Sequence, residues 1–484
     1  MEYRRLRSYI EDRWNRDALP TLIEYIAIPC VSPAFEPRWE EFGHMVRAAE
    51  LFANWAREHL SAVDGVAVEI FQLPGRTPLL FIDIPASAVE AEPVILYGHL
   101  DKQPAMDGWT EGRSAWTPRL EGDRLYGRGG GDDGYALFSA ILALLALNDQ
   151  NIPHPRCIML VEACEESSSE DLPFYFDYLE ARLGSPSLVI ALDSMCGNYD
   201  QLWTTTSLRG QIAGTLTVRV LDEAIHSGEA SGIVPSSFRI ATHLLARLED
   251  PGTGRIIAPD FVVDVPAARL TEAAIAADVL GQSAYDTMPF VAGAQPVNDD
   301  VATLITERSW RAQLAVTGAD GLPAVNAAAS VMLPATSLKL SLRLPPTLDA
   351  DAAGIALKRL LEERPPYGCQ VSFDIAFTSP GWHAPSTADW LAQALDDASI
   401  QAFGSPSVGY GGGGGIPFLN LLGERFPDAQ FVVTGVLGPE SNAHGPNEFL
   451  HIPTAIRIAA ALALILRAAA INRAGSPAST SELA

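Results

Sequence analysis

The sequence predicts an α/β domain with a mainly parallel sheet, interrupted by an α+β insert. Apolar strands alternate with helices over residues 66–192 and again after Pro380, which is typical of a buried, largely parallel sheet. Between 209 and 378 the strands instead alternate apolar and polar residues with period two, which is typical of antiparallel strands with one exposed face. A chain of 484 residues is expected to form two or three domains.

The elements of the first domain follow in order. The first sixty residues are predicted to be helical because Leu6, Ile10 and Trp14 recur at helical spacing, with a break at Pro29. A long apolar helix is predicted over Tyr135–Leu147, after a glycine cluster. The predicted strands of this domain are 66–71, 78–85, 93–101, 157–161 and 188–192.

The insert begins where the alternating segment GQIAGTLTVRVLD starts, near Arg209. Two further alternating segments, SLKLSLRLP and CQVSFDIAF, enclose a predicted helix at 352–363, and another helix is predicted at 237–248. After Pro380 we expect a helix at 387–400, a strand at 429–437 and a closing helix from Thr454. The predicted domains are therefore 1–208 plus 379–484 and 209–378, with a disordered tail over 473–484.

Charge and composition exclude several classes of partner. Lys and Arg number 33 against 59 Asp and Glu, a formal charge of −26, whereas nucleic acids and anionic membranes select clustered positive charge. The longest apolar run, 458–466, ends at Arg457 and Arg467, well short of the ~20 residues that span a bilayer. Five scattered cysteines without a C-x-x-C pair favour a reducing cytoplasm. We expect a soluble cytoplasmic protein that binds neither nucleic acid nor membrane.

His99 is the first candidate for chemistry. It ends the apolar strand VILYG, and Asp101 follows on the same face. Ligands of open α/β sheets gather outside the carboxyl ends of the strands. An aspartate at this position can accept the second imidazole N–H and so orient a metal-binding histidine. The alternative is a structural histidine beside a carboxylate.

Acidic pairs occur at two further places. Asp132 and Asp133 follow a glycine turn where a helix begins; one of them can cap the helix, which leaves the other free to bind a metal. Glu165 and Glu166 end a strand, and adjacent carboxylates there suit one metal ligand and one general base. An acidic helix start is the alternative for the glutamate pair.

Two single residues complete the set. Asp193 terminates the strand LVIALD, and His444 lies in the loop PESNAHGPNE, where a turn histidine is the alternative. Two neutral imidazoles and three carboxylates carry −3, which two divalent cations and a hydroxide would balance. This mixed nitrogen and oxygen set suits zinc, or manganese or cobalt, better than calcium. The five candidate metal ligands are His99, Asp132, Glu166, Asp193 and His444.

Seven stretches together resemble the metallopeptidase family that contains the carnosinases, bacterial dipeptidases, aminoacylases and succinyl-diaminopimelate desuccinylase, which is family twenty of the metallopeptidases. They lie between residues 97 and 448 in the family's order. The stretches are YGHLDKQPAMDGW, LYGRGGGDDG, VEACEESSS, IALD, EAIHSGEASGIVP, TSLKLSLRLPPTLD and SNAHGPNE.

The resemblance implies roles for the metal site and a zinc-exopeptidase-like catalytic domain. His99 and Asp193 would bind one metal, Glu166 and His444 the other, and Asp132 would bridge both. Asp101 would orient His99. Glu165 would be the general base that deprotonates the bridging water and then protonates the leaving amine.

The resemblance also implies that residues 209–378 form a lid and dimerisation domain. His226 would act across a homodimer on the tetrahedral oxyanion, Arg343 would grip the substrate carboxylate, and Asn326 would make a polar contact nearby. The chain departs from the family at Gly134, where a lysine is usual. It also departs at 411–415, where five glycines replace an Arg-Glu-Gly-Gly-Ser segment. There Gly414 and Gly415 can offer the substrate only backbone N–H groups.

The expected function is hydrolysis of a dipeptide or short peptide by a two-metal exopeptidase. Aspartate at position 193 resembles the peptidases that act on a free amino group, whereas deacylases and carboxypeptidases of the family tend to carry glutamate there. An N-acyl-amino-acid amidohydrolase or a carboxypeptidase is the alternative within enzymes, with a small amide as substrate. A non-catalytic binding protein is the alternative outside them.

Overall fold

The computed structural model describes residues 1–87 and 92–474. In these ranges the α-helices are α1 (Tyr3–Arg13), α2 (Leu19–Ile26), α3 (Trp39–Phe42), α4 (His44–His59), α5 (Tyr135–Asp149), α6 (Leu172–Leu183), α7 (Ser227–Ala230), α8 (Ser237–Leu245), α9 (Ala267–Leu280), α10 (Ser283–Asp286), α11 (Val301–Trp310), α12 (Ala350–Glu362), α13 (Asp389–Ala402), α14 (Pro417–Arg425) and α15 (Ile452–Ala474).

The strands in the same ranges are β1 (Ala67–Phe71), β2 (Leu79–Ile84), β3 (Val94–His99), β4 (Arg119–Glu121), β5 (Arg124–Tyr126), β6 (Cys157–Glu162), β7 (Leu188–Ala191), β8 (Trp203–Leu208), β9 (Gly210–Arg219), β10 (Ile225–His226), β11 (Gln313–Asp320), β12 (Val331–Met332), β13 (Ala335–Leu344), β14 (Gln370–Ser379), β15 (Trp382–His383), β16 (Val408–Gly412), β17 (Gln430–Val433) and β18 (Phe449–His451).

The chain forms two compact units. Unit 1 comprises Met1–Thr205, Ala384–Gly409 and Leu421–Ala484, and unit 2 comprises Thr206–His383 and Tyr410–Asn420. The segment Tyr410–Asn420, which the sequence assigned to the first domain, therefore lies in unit 2. Its glycines pack there: Arg209 Nε donates to Gly413 O at 3.1 Å. Of the predicted tail at 473–484, residues 475–484 lie outside the described residues, whereas 473 and 474 belong to α15, which continues to Ala474.

A six-stranded sheet of order β1-β2-β6-β3-β7-β17 forms the centre of unit 1. The β6-β3, β3-β7 and β7-β17 pairs are parallel, and the β1-β2 and β2-β6 pairs are antiparallel. All residues of β3, β6 and β7 are buried, as a sheet covered on both faces requires. The predicted mixed α/β class with a mainly parallel sheet is confirmed.

Two helices of unit 1, Gly130–Asp149 and Ile452–Asn472, have the length and apolar composition of a bilayer-crossing helix. Both segments instead belong to the core of unit 1: 100% of the first window and 78% of the second are buried.

Unit 2 contains a four-stranded antiparallel sheet of order β11-β13-β9-β14. Along β13 buried and less buried residues alternate strictly, and the buried face of the whole sheet packs on α8 and α12. Both helices begin at side-chain caps, since Ser236 accepts from Arg239 N and Asp349 accepts from Ala352 N. An antiparallel sheet packed on two helices is the α+β architecture that period-two alternation predicts for the insert.

Candidate metal centre

The topology of unit 1 brings three strand ends together. In the parallel register, His99 at the end of β3 pairs with Glu162 of β6, and Tyr97 pairs with Ala191 of β7. Because β6, β3 and β7 are neighbours and parallel, the residues that follow them share one sheet edge. His99, Glu165 and Asp193 therefore lie at the same edge.

The structure gathers the five predicted ligands into two groups that share one carboxylate. The ligand atoms of each group lie within 4.8 Å of one another. The first group is His99, Asp132 and Asp193, and the second is Asp132, Glu166 and His444. Asp132 contributes to both, as a bridging carboxylate does, although the role of each residue stays a prediction.

Distances within the groups suit a small divalent cation. Nε2 of His99 lies 3.2 Å from Asp132 Oδ1 and 3.9 Å from Asp193 Oδ2. Nε2 of His444 lies 3.0 Å from Asp132 Oδ2 and 3.3 Å from Glu166 Oε2. Tetrahedral zinc with bonds of about 2.0–2.1 Å separates its ligand atoms by about 3.3 Å. The donor set therefore fits two divalent ions.

Burial makes a cation at this place energetically important. Asp132 is 4% exposed and Asp193 7%, and unpaired carboxylates so deeply buried are costly. Burial raises the pKa of Asp193 to about 6, and burial together with Asp132 raises that of Glu166 to about 8. Burial opposes protonation of His99, but hydrogen bonds with Asp101 and Asp132 hold its pKa well above the usual value. Bound divalent cations would replace these protons.

Asp101 positions the two glutamates as well as the histidine. Nδ1 of His99 is hydrogen-bonded to the backbone carbonyl of Asp101 at 3.0 Å, and the Asp101 carboxylate lies farther away, at 3.5 Å. That carboxylate instead accepts the backbone N–H groups of Glu165 and Glu166, each at 3.0 Å, and the hydroxyl of Ser32 at 2.6 Å. The sequence interpretation gave Asp101 only the role of orienting His99; it did not foresee the turn after β6 that brings two further N–H groups to the carboxylate.

Glu165 belongs to neither ligand group, which leaves its carboxylate free for proton transfer. Burial, followed by the nearby Asp193, raises the pKa of Glu165 well above its ordinary value. A general base with a raised pKa holds an accepted proton more firmly and can pass it on. The geometry is therefore compatible with the base role that the sequence predicts.

Sequence reasoning missed a buried ion pair beside His444. Arg128 and Glu448 form an ion pair in which both side chains are nearly inaccessible, 1% and 0%. Glu448 also accepts from Gly129 N at 2.8 Å, and Arg128 Nη2 donates to Gly445 O at 2.9 Å. The pair thus connects the glycine turn before Asp132 to the loop that carries His444. Glu448 stands four residues after His444, a proximity that could have marked it.

Replacing Arg128 by methionine is expected to lower the free energy of unfolding by about 3 kcal/mol, because it leaves Glu448 buried without its cation. Burial raises the pKa of Glu448 to about 7 although Arg128 lowers it. Without Arg128 the carboxyl must be protonated or buried as an unpaired charge, so the loss should be larger at pH 8 than at pH 5. Urea unfolding at both pH values measures it.

The matched control is Arg5→Met, which breaks an exposed pair with Asp149 whose side chains are 57% and 31% accessible. It is expected to change stability by less than about 1 kcal/mol. Equal effects of the two substitutions would contradict the structural role assigned to Arg128.

Lys102 is a second residue that the sequence did not mark. Its ammonium donates to the carbonyl oxygens of Tyr25 and Ile28, each at 2.9 Å, and of Ile26 at 3.3 Å. Burial lowers its pKa to about 8. Lys102 therefore closes the C-terminal end of α2 next to Asp101.

Glycine at position 134, where the family usually has a lysine, has a steric reason. A Cβ there would lie 2.3 Å from Tyr25 Cε1 and 2.7 Å from the carbonyl oxygen of Gly129. In this chain position 134 is therefore closed to a side chain, whereas the family usually has a lysine.

The remaining predicted residues lie in unit 2. His226 is exposed on β10, Asn326 is exposed in a short 3₁₀ turn, and Arg343 is half-buried on β13. Gly414 and Gly415 are exposed, and nothing lies within 4 Å of a Cβ at Gly414. Their substrate contacts stay predictions.

The five glycines at 411–415, called the glycine run below, leave no room for a side chain at the first position. A Cβ at Gly411 would lie 2.5 Å from Ser309 Cβ and 2.7 Å from Ser207 Oγ. A longer side chain at 411 could not be accommodated without moving these serines.

The chain is similar to several known proteins. A cysteinylglycine-S-conjugate dipeptidase of Corynebacterium striatum is 26% identical over 384 residues, 74% of this chain and 77% of that protein. A Beta-Ala-His dipeptidase of Rattus norvegicus is 28% identical over 267 residues, 53% of this chain and 52% of that protein. The crystal structure of human carnosine dipeptidase 1 superposes with a TM-score of 0.73 at 20% identity, covering 97% of this chain and 99% of that chain.

The model of peptidase family M20/M25/M40 matches residues 95–468. That range contains all five predicted metal ligands and Glu165. It covers most of the chain, and the fold agrees with that of a dipeptidase. The chain belongs to peptidase family M20/M25/M40.

Proposed function

We propose that this protein is a metal-dependent dipeptidase that hydrolyses the peptide bond of dipeptides with a free amino group. The observation that carries the proposal is the pair of ligand groups sharing Asp132, with Glu165 beside them and outside both. The relatives described as dipeptidases support the substrate class. Zinc is the metal we assign, because two imidazoles and three carboxylates form a mixed nitrogen and oxygen set.

Different residues of the chain bind the metal ions, transfer the proton and position the proton-transfer group. His99 and Asp193 would hold one ion, Glu166 and His444 the other, and Asp132 both. The chemistry supplied by two bound divalent ions is Lewis acidity toward the carbonyl and toward water. Glu165 takes the proton from the attacking water and returns it to the leaving amine. Asp101 holds the Glu165 backbone at 3.0 Å, so the carboxylate keeps its position while the proton moves.

The test is amino-acid release from a panel of dipeptides and their N-acetylated counterparts, with Zn²⁺ or Mn²⁺ added. Cleavage of the free-amine peptides alone is the expected result. Cleavage of the acetylated set alone would make the protein a deacylase, the alternative within enzymes. Cleavage of neither set, with two ions bound, would contradict both activities.

We further propose that the protein is a homodimer in which His226 serves the active site of the partner subunit. Its Nδ1 accepts the backbone N–H of Gly228 at 3.0 Å, so the neutral ring carries its proton on Nε2. An exposed Nε2–H donor suits a developing oxyanion. His226→Ala is expected to lower kcat by about 10²–10³-fold while both metal ions remain bound.

A mixing experiment tests whether His226 acts on the active site of the partner subunit or on that of its own subunit. His226→Ala and Glu165→Gln proteins are each expected to be nearly inactive. Mixed dimers would contain one site with both groups intact if His226 acts on the partner, restoring about a quarter of the wild-type activity. No restoration, in mixtures shown to exchange subunits, would contradict action across the dimer.

A further inference from the structure

Unit 2 contains a cavity of about 310 Å³ beside the glycine run. Its charged lining residues are Arg209, Arg308 and Glu307. Most of the remaining wall is apolar, with Tyr285, Met288, Phe290, Val297, Leu304 and Ile305 among the lining residues. A volume near 300 Å³ with an apolar wall and a few polar groups is typical of a small-molecule site.

The two arginines present donors that the protein does not use. Arg209 is 8% exposed and donates from Nε to Gly413 O and from Nη1 to Arg311 O; no hydrogen bond from its Nη2 occurs within 1–87 and 92–474. In the same ranges the Arg308 side chain makes no hydrogen bond, and its Nε is buried without a partner. Buried donors without acceptors are rare and costly, so the pair is suited to an acceptor from outside the protein.

The charge at this place is positive and poorly compensated. Burial, followed by the nearby Arg343 and Arg308, lowers the pKa of Arg209 to about 10. The carboxylate among the lining residues is Glu307, whose Oε2 already accepts from Gln313 at 2.9 Å. Two guanidinium groups facing a single carboxylate leave a net positive charge inside a partly apolar cavity.

The glycine run supports the arginines directly. A Cβ at Gly413 would lie 3.1 Å from Arg308 Cγ and 3.5 Å from Arg209 Nη2. Both side chains therefore lie against the bare backbone of position 413. The same glycine also provides the carbonyl that holds Arg209.

We propose that this cavity binds a small carboxylate with an apolar tail, its carboxylate on Arg209 and Arg308 and its tail against Met288, Phe290 and Leu304. Guanidinium groups bind carboxylates through paired charge-assisted hydrogen bonds, and the apolar wall adds burial of the tail. The proposal does not depend on the proposed peptidase activity, because occupancy of the cavity is measured as binding.

Calorimetry on the full-length, metal-loaded protein tests it with 4-phenylbutyrate as the probe. The uncharged 4-phenyl-1-butanol and the tailless acetate should each bind at least about tenfold more weakly. These comparisons use the wild-type protein and so are independent of any variant. Equal binding of the acid and the alcohol would contradict the role of the arginines.

Arg308→Met is expected to weaken binding of 4-phenylbutyrate at least about tenfold. The matched control is Arg255→Met, at an exposed arginine of the same unit, which should leave binding unchanged. If Arg308→Met keeps the wild-type affinity, the probe binds elsewhere, for example at the metal ligands, and the proposal is wrong. Leu304→Trp, which fills the cavity without removing charge, should weaken the acid and the alcohol alike.

Discussion

Replacing Glu165 by glutamine is expected to reduce kcat for dipeptide hydrolysis by about 10²–10⁴-fold, the range for loss of a general base. Glutamine has nearly the same shape but cannot accept a proton from water. Glu165 lies outside both ligand groups, so two metal ions should remain bound. The backbone hydrogen bond to Asp101 is also kept, because it uses the main-chain N–H of residue 165.

Steady-state kinetics and metal analysis of the dialysed protein check this expectation. Glu170→Gln is the matched control, since Glu170 is an exposed carboxylate five residues away, and it should behave like wild type. Turnover that survives Glu165→Gln would assign the base to another residue. Loss of metal together with activity would instead make Glu165 a ligand.

Replacing Asp132 by asparagine is expected to remove both metal ions and, with them, all measurable activity. Asp132 is the one residue that both ligand groups contain: Oδ1 lies near His99 and Oδ2 near His444. Substitutions of residues that hydrogen-bond to a metal ligand, without binding the metal themselves, lower metal affinity by about 10–100-fold. Removing the charge of a carboxylate shared by two ions should cost more than that at each position.

Asp193→Asn provides the comparison, because Asp193 belongs to one group only. This variant should lose one ion and retain the other, whereas Asp132→Asn should retain neither after dialysis. Competition with a chromophoric chelator measures the affinities, and circular dichroism verifies folding. Two ions bound with wild-type affinity in Asp132→Asn would refute the shared-ligand arrangement.

The identity of the candidate ligands could be predicted because strand patterns are local. His99, Glu166 and Asp193 each stand at or just after an apolar strand, and parallel strands place such residues at one edge. The sequence shows that Gly134 and the glycine run depart from the family pattern, but it does not show why glycine is present there. The closeness of Tyr25 to position 134 and of Ser309 to position 411 arises from residues more than a hundred positions apart in the chain.

Long-range contacts also explain the other differences. The pattern predicted helices over the first sixty residues and strands to 192, but not α9 and α11, whose apolar residues are spread around the helix and form no clear stripe on one face. The sequence placed Tyr410–Asn420 in the first domain, whereas the segment lies in unit 2, because a run of glycines has no apolar pattern that records what it packs against.

The sequence by itself determined the α/β class, the α+β insert, the five candidate ligands and Glu165, because periodicity, strand-end position and the family-like stretches are properties of short segments. Tertiary structure decided which ligands share Asp132, that the Asp101 carboxylate holds the backbone of two glutamates, and that Arg128 and Glu448 pair in the core. It also decided that Arg209 and Arg308 line one cavity with their donors unused. These features depend on distances between residues remote in the chain, which only packing sets.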